Sequence, residues 1–205
     1  MSAGHRHPPQ PDLEDQPLGA YQALATAVEA LLVEKGVLTA AEIRDAIERY
    51  FARGPADGAR LVARAWVDPA FAKRLFADVR AAAAEFGIDT GSTPIAAMPN
   101  TPALHHVVVC TLCSCYPTSL LGPSPDWYKS RAYRSRMVRE PRAVLAEFGT
   151  AIPETVEVRV HDSSADVRYF VVPVRPAGSD GLGEAELAPL VTRDCLIGVK
   201  LPNVG

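Results

Sequence analysis

The first part of the chain shows helical periodicity. Between Tyr21 and Gly36, apolar residues recur at spacings of three and four, as at Leu24, Val28 and Leu31. Such spacing places them on one face of a helix. We therefore predict an amphipathic helix over this stretch.

Three further helices are predicted before residue 88. Thr39 and Glu42 have the spacing of a capping box, in which each side chain satisfies a backbone amide of the other residue, so a second helix begins here. A third helix is predicted over residues 57–66. Asp68 is followed by a proline, a combination that favours a helix start, and the fourth helix is expected to end at Gly87.

The pattern changes to strands after a long connection over residues 87–104. Strands are predicted at residues 105–109, 155–161, 167–174 and 195–199, with a turn over 162–166 that joins the second strand to the third. Helices are predicted at residues 124–131, 141–149 and 184–192. Pro189 lies inside the last of these and should kink it.

Helices before residue 87 and strands after residue 105 together predict an α+β fold. Residues 1–17, rich in proline and polar side chains, are expected to form a disordered tail. Residues 18–99 are expected to form a helical arm and a connecting loop, although four such helices could also pack as a bundle. Residues 100–205 are expected to form a compact, layered α-β-β-α domain.

Composition and charge narrow the functional classes. The chain has 205 residues, a net charge of -3 and 48% hydrophobic residues, so it can bury a substantial core and has no overall attraction for nucleic acid. No apolar run approaches the roughly 20 residues that would span a membrane. The four cysteines do not form a disulfide framework. These features predict a cytoplasmic protein that binds neither nucleic acid nor membrane.

Three of the four cysteines lie within residues 110–115, a segment that we call the cysteine loop. The thiolates of Cys113 and Cys115, with the amide nitrogens of Ser114 and Cys115, can close three adjacent chelate rings around a metal ion. Cys110 can supply an axial thiolate, which leaves one coordination position open, as in a catalytic site. Such a ligand set suits trivalent cobalt or iron better than magnesium or calcium.

The spacing of the cysteines alone is also compatible with other kinds of site. A Cys-x-x-Cys pair also occurs in zinc sites, iron–sulfur sites and redox pairs. For tetrahedral zinc, the available fourth ligands are His105, His106 and Cys195. We expect the two histidines to be hydrogen-bonded structural residues and Cys195 to be a packed thiol.

The run Val-Cys-Thr-Leu-Cys-Ser-Cys-Tyr-Pro at residues 109–117 resembles the metal-binding loop of nitrile hydratase alpha subunits and of the homologous cobalt subunit, gamma, of thiocyanate hydrolase. The resemblance covers about residues 20 to 200. It includes the segments 63–69, 133–142, 144–149 and 191–194.

The resemblance implies a noncorrin cobalt(III) ion in a nitrile hydratase, a lyase that converts nitriles to amides. Iron(III) is the less favoured metal, since Thr111 and Tyr116 match the cobalt pattern. The implied ligands are Cys110, Cys113 and Cys115, with the amides of Ser114 and Cys115. In the family, the cysteine at position 113 is oxidised to sulfinic acid and that at 115 to sulfenic acid. Cys113, Ser114 and Cys115 are thus the implied catalytic residues, and the Cys115 sulfenate either attacks the nitrile carbon or acts as a base.

Partners are implied as well. Anionic oxidised sulfurs need countercharges, which in the family are arginines of a companion subunit. The chain is therefore expected to belong to a hetero-oligomer with a beta chain, or with separate beta and gamma chains. A cobalt-loading activator is a further expected partner.

Thr118 departs from the family pattern, because nitrile hydratases carry a tryptophan after the proline of this loop. Loss of the indole widens the substrate pocket at Thr118 and favours a bulky heterocyclic nitrile. Residues 194–199 resemble the three-subunit relatives, thiocyanate hydrolase and toyocamycin nitrile hydratase. The alternatives are therefore the cobalt subunit of a thiocyanate hydrolase, or a noncatalytic zinc or iron–sulfur module.

Overall fold

The computed structural model describes residues 19–204, so the predicted tail over residues 1–17 lies outside the described residues. The described residues divide into two compact units, residues 19–47 and 48–204. The predicted boundary between residues 99 and 100 falls inside the second unit, between its first two strands. The helical arm and the separate domain therefore stay predictions.

The first unit contains the first predicted helix, α1 (Ala20–Glu34), and the start of α2 (Ala40–Ala52). The predicted capping box at α2 is confirmed, because the Glu42 amide donates to Thr39 Oγ1 at 3.1 Å and the Thr39 amide donates to Glu42 Oε2 at 2.7 Å. Gly36 adopts a φ of 66° in the turn between the helices. The apolar residues of the α1 face are exposed, from Tyr21 to Leu31.

The helices of the second unit that precede its strands are α3 (Ala56–Val67), α4 (Pro69–Ala77) and α5 (Val79–Ala84). Asp68 caps α4 as predicted, since its carboxylate accepts from the amides of Ala70 and Phe71. The predicted continuous fourth helix is wrong. It breaks at Asp78, which is extended and caps α5 by accepting from the Ala81 amide at 3.0 Å.

Within the described part of the chain, four strands form two parallel pairs: β1 (Ile95–Pro99) with β4 (Arg168–Val172), and β2 (Leu104–Val109) with β3 (Glu157–Asp162). The strands predicted over residues 155–161 and 167–174 are confirmed as β3 and β4, although the two do not pair with each other. Phe170, Val171 and Val172 are consecutive buried residues, and such a strand suits a parallel pair that is covered on both faces. Strand β1 lies within the predicted long connection and was missed, whereas β2 confirms the strand predicted before the cysteine loop.

The remaining helices are α6 (Thr118–Leu121), α7 (Asp126–Lys129), α8 (Arg131–Met137), α9 (Pro141–Glu147), α10 (Glu184–Leu187) and α11 (Arg193–Ile197). The predicted helix over 184–192 ends at Leu187 and continues as a 3₁₀ turn that contains Pro189.

The strand predicted over 195–199 is wrong, because this segment belongs to α11. Thr192 caps the helix by accepting from the Cys195 amide, and Gly198 ends it with a φ of 89°. A β-carbon at Gly198 would collide with the backbone oxygen of His106. The helix therefore packs against β2 through a residue without a side chain.

Helices α3 to α5, the strands and α11 share one hydrophobic core, in which Leu61, Phe71, Val107, Phe170 and Leu196 are fully buried or nearly so. This mixture of helices and parallel strand pairs confirms the α+β class. Among residues 19–204, no helix is both long and apolar enough to cross a membrane.

Candidate metal centre

The cysteine loop continues directly from β2. Val107, Val108 and Val109 are buried, so the strand holds the first cysteine at the edge of the core. Strand β3 runs parallel to β2, and its last residue, Asp162, lies opposite Val109. The register therefore brings a carboxylate from a distant part of the sequence to the start of the loop.

The three cysteine side chains of the loop converge. Cys110 Sγ and Cys113 Sγ are 3.6 Å apart, and Cys113 Sγ and Cys115 Sγ are 3.3 Å apart. All three sulfur atoms lie within 4.8 Å of one another. Two sulfurs that each lie about 2.3 Å from one ion, at right angles, are about 3.3 Å apart. The observed separations thus suit sulfur ligands around a single metal ion.

The sulfur cluster has one buried side and one open side. Cys110 is fully buried, Cys115 is half-buried and Cys113 is exposed. Leu112, between them, is 88% exposed and points away from the core. A ligand can therefore reach the cluster from the side of Cys113.

The loop backbone is held by side chains from three other elements. The carboxylate of Asp162 accepts from the Thr111 amide at 2.8 Å and from the Thr111 hydroxyl. Tyr128 Oη donates to the Cys115 carbonyl at 2.9 Å. Arg134 Nη1 donates to the Cys113 carbonyl at 2.7 Å. These contacts fix the Cys113–Ser114 and Cys115–Tyr116 peptide groups, which flank the Ser114–Cys115 peptide.

The thiols differ in acidity. Hydrogen bonds from the Cys115 thiol, the Ser114 amide and Cys110 lower the pKa of Cys113 to about 7. Burial and the interaction with Cys113 raise the pKa of Cys115 to about 12. A negative charge on the metal-free cluster is therefore concentrated on Cys113, the exposed sulfur, where a cation would first be attracted.

The donor set fits a thiophilic metal that also binds amide nitrogen. The amide groups of both Ser114 and Cys115 are close enough to hydrogen-bond to Cys113 sulfur, so these two nitrogens lie beside the sulfur cluster. The oxygen ligands that magnesium and calcium prefer are not part of this set. Cys110, Cys113, Ser114 and Cys115 are thus placed together as the sequence predicts.

Thr118 is the first residue of α6 and is half-buried three positions beyond Cys115.

His105 Nε2 donates to the Gly198 carbonyl at 2.7 Å, and His106 Nδ1 lies 2.7 Å from His161 Nε2. Burial lowers the pKa of both His105 and His106. Cys195 is buried in α11, with its sulfur 3.2 Å from Thr192 Oγ1. These contacts are those of structural residues, as predicted.

Sequence reasoning missed the three residues that hold the loop. Asp162 was assigned to a turn and Tyr128 to a helix, and Arg134 was given no role. One local signal was available for Asp162, since it follows a predicted strand at the level where a parallel neighbour would end. Nothing in the spacing connected Tyr128 or Arg134 to the cysteines.

A family model described as "Nitrile hydratase, alpha chain" matches residues 19–200, which is nearly all of the described chain. This chain belongs to the nitrile hydratase alpha-chain family. The expected family relationship is therefore confirmed.

Curated members of the nitrile hydratase family are similar over most of the chain. The high-molecular weight cobalt-containing nitrile hydratase subunit alpha of Rhodococcus rhodochrous is 51% identical over 184 residues, 88% of this chain and 90% of the relative. The cobalt-containing subunit alpha of Pseudonocardia thermophila is 49% identical and covers 87% of this chain and 89% of its own length. The thiocyanate hydrolase subunit gamma of Thiobacillus thioparus is 44% identical over 96% of this chain and 85% of the relative.

Solved structures agree with the nitrile hydratase alpha fold. A recombinant thiocyanate hydrolase with partially modified cobalt centres superimposes with a TM-score of 0.86 at 44% identity, covering 92% of each chain. An Fe-type nitrile hydratase double mutant from Comamonas testosteroni Ni1 superimposes with a TM-score of 0.82 at 39% identity, covering 90% of this chain and 91% of the other.

Asp162 provides a test of the supported loop. We expect Asp162→Ala to weaken metal retention by about 10- to 100-fold, because residues that orient metal ligands have effects of this size. Cobalt loss to a chelator would be followed by elemental analysis in the assembled protein. Asp166→Ala is the matched control, since Asp166 is also exposed but lies in the β3–β4 connection, where its amide donates to Ser164 Oγ. Equal retention by both variants would contradict the supporting role.

Proposed function

We propose that this chain is the metal-carrying catalytic subunit of a cobalt nitrile hydratase. The observation that carries the proposal is the cluster of three sulfur atoms within 4.8 Å of one another, in a chain 49% to 51% identical to cobalt-containing alpha subunits. The reaction adds water to a nitrile. The water oxygen bonds to the nitrile carbon, two protons reach the nitrogen, and the product is the amide.

Cys110, Cys113 and Cys115 would hold the metal through sulfur, and Ser114 and Cys115 through their amide nitrogens. A bound cobalt(III) ion would act as a Lewis acid that makes a nitrile carbon more electrophilic or a water molecule more acidic. Iron(III) remains the less favoured ion. The cobalt-containing relatives support this order, together with Thr111 and Tyr116.

The residues around the loop keep the ligands in place. Asp162, Tyr128 and Arg134 fix its backbone, so that the amide nitrogens need little reorganisation when metal binds. We propose that an external oxidant, such as molecular oxygen, would convert the Cys113 thiolate to a sulfinate and the Cys115 thiolate to a sulfenate, each added oxygen atom coming from the oxidant. The Cys115 oxygen would then act as nucleophile toward the nitrile carbon or as base toward water.

Two surfaces support companion chains. On the apolar face of α1, Tyr21 is 89% exposed and Leu24 is 59% exposed. A cavity of about 460 Å³ beside the cysteine loop is lined by Arg131, Arg134 and Arg139. We propose that a beta-type subunit, or separate beta and gamma chains, buries the first surface and offers carboxylates to the second. A cobalt-loading activator and a cytoplasmic location remain part of the proposal.

The alternative function is the cobalt subunit of a thiocyanate hydrolase. It is favoured by the thiocyanate hydrolase gamma relative, whose similarity extends over 96% of this chain. Thr118 favours nitriles instead, because a pocket widened by the missing indole suits a bulky nitrile better than a three-atom anion. Both reactions begin with water adding to a C≡N carbon, so the metal loop does not distinguish them.

The test is expression of the chain with its companion subunits in cobalt-containing medium. We expect about one cobalt per chain, added oxygen on Cys113 and Cys115 in the intact mass, and conversion of nitriles to amides. Release of carbonyl sulfide from thiocyanate with nitriles untouched would establish the alternative function. Zinc alone with fully reduced thiols would rule out both enzymes.

A further inference from the structure

Two histidine rings meet between β2 and β3, just before the cysteine loop. His106 Nδ1 and His161 Nε2 are 2.7 Å apart, and the ring centroids are 4.8 Å apart. His106 is buried and His161 is half-buried. The centroid of the Tyr169 ring lies 5.2 Å from that of His161. The two imidazoles therefore form one hydrogen-bonded unit, which we call the histidine pair.

The histidine pair adjoins the residue that holds the cysteine loop. His161 immediately precedes Asp162, and successive side chains of a strand point to opposite faces. The end of β3 is therefore held on one face by the His161 ring and on the other by the hydrogen bonds from Thr111 to the Asp162 carboxylate. Because His161 and Asp162 share a peptide bond, a shift of the ring would displace this carboxylate.

The hydrogen bond of the histidine pair depends on how many protons the two rings carry. In a neutral pair, one of the facing nitrogens donates and the other accepts. One added proton can occupy an outer nitrogen and leave the bond intact. A second added proton places an N–H group on both facing nitrogens, so that no acceptor remains and two positive charges repel each other. The pair must then open.

The surroundings of the histidine pair oppose protonation. Burial lowers the pKa of His106 to about 4, and the charges of His161, Arg159 and His105 act in the same direction, whereas the Pro99 carbonyl acts against them. Burial, followed by the charge of Arg159, also lowers the pKa of His161. The pair is therefore neutral at pH 7, and its hydrogen bond is intact.

Neighbouring elements add polar groups around the two strands. Arg159 is paired with Glu157 at 2.8 Å. The groups that α8, α9, α11 and β4 bring to β2 and β3 are the hydroxyls of Tyr133 and Tyr169, the Arg142 guanidinium and the Gly198 carbonyl. Two of these are neutral hydroxyls and one is a further cation. Burial and positive charge thus govern the protonation of the histidine pair.

We propose that His106 and His161 are positioning residues for the metal centre: the neutral pair keeps Asp162 on Thr111, and double protonation opens the pair and loosens the cysteine loop. The inference rests on the proposed metal-carrying function for its effect on cobalt, whereas its effect on the loop is measurable without metal.

The direction of the pH dependence follows from the lowered pKa. In an open pair, each ring takes up a proton at about pH 6.5, the ordinary value for histidine. In the closed pair, His106 does so only at about pH 4. The support of the loop is therefore complete above about pH 6.5 and is lost as the pH falls toward about 4.

Hydrogen exchange of the Thr111 amide, which donates to Asp162, tests the loop in the metal-free assembly. Between about pH 7 and about pH 5, the proton balance favours the open pair by about 10- to 20-fold. Protection of Thr111, corrected for the intrinsic exchange rate, should fall by this factor in the wild type. In the double variant His106→Asn/His161→Gln, protection should stay constant, since the two amides can hydrogen-bond near the positions of Nδ1 and Nε2 but do not titrate.

His105→Gln is the matched control, because His105 adjoins the pair on β2 and a glutamine amide can still donate to the Gly198 carbonyl. It should keep the wild-type acid response. His161→Phe lacks the hydrogen bond at every pH, so its Thr111 amide should already be weakly protected at neutral pH. Constant protection of Thr111 in the wild type would overturn the proposal without any variant. An equal fall in the double variant would also overturn it, by assigning the acid response to other groups.

Cobalt release separates this inference from the proposed function. Between about pH 7 and about pH 5, loss of cobalt to a chelator should accelerate about tenfold more in the wild type than in the double variant. Equal acceleration would overturn the effect on the metal. An assembly that shows the expected Thr111 response but hydrates no nitrile would keep the histidine pair and reject the proposed function. Nitrile hydration with a Thr111 protection that does not depend on pH would do the reverse.

Discussion

Cys113→Ala is expected to abolish cobalt binding and to reduce nitrile hydration to background. Its sulfur is central to the cluster, 3.6 Å from Cys110 Sγ and 3.3 Å from Cys115 Sγ. Removing it leaves the other two sulfurs without the ligand between them. Cys110→Ala and Cys115→Ala are expected to have the same outcome, because each sulfur occupies a separate ligand position.

Elemental analysis of the purified assembly would measure cobalt per chain for each variant, together with amide production. Cys195→Ala is the internal control, since this thiol is buried in α11 beside Thr192, outside the cluster. It should keep its cobalt. Undiminished cobalt in any one of the loop variants would remove that cysteine from the site.

The candidate site was predictable where it is local in sequence. Residues 110–115 contain all three thiols and both amides, so the spacing offers this chelate directly, and the family resemblance favours it over zinc, iron–sulfur or redox uses. The surrounding contacts depend on tertiary structure. Asp162 reaches Thr111 only because β2 and β3 are parallel and end at the same level. Arg134 reaches the Cys113 carbonyl from a separate helix, and no short-range pattern encodes that approach.

The fold was likewise predictable where the signal is local in sequence. Capping signals at Thr39 and Asp68 predicted helix starts correctly, since these hydrogen bonds span three residues. Strands β3 and β4 were predicted from their own alternation, whereas their parallel partners, β2 and β1, could not be, because pairing between distant segments leaves no local signal. The apolar segment that begins at Cys195 was assigned to a strand by its composition. Its helical state is set by the Thr192 cap and by Gly198, which outweigh the preference of apolar residues for strands.

Gly198→Ala is expected to have the largest effect on stability. Gly198 has a φ of 89°, where an L-residue costs about 1–2 kcal/mol. An added β-carbon would also collide with the His106 backbone oxygen and lie 3.0 Å from Val107 Cα. Overpacking a rigid site adds about 1–3 kcal/mol, so the variant should lose about 2–5 kcal/mol of unfolding free energy.

The matched variant is Gly149→Ala. Gly149 has a similar φ of 80°, but no atom lies within 4 Å of its added β-carbon, so only the backbone cost of about 1–2 kcal/mol applies. Thermal unfolding should therefore show a Tm lowered by about 5–20 °C for Gly198→Ala relative to the wild type. The Tm of Gly149→Ala should fall by much less. His106 and Val107 belong to the strand that leads into Cys110, so Gly198→Ala should also lower cobalt per folded chain. Equal Tm values for the two variants would mean that α11 does not press on β2.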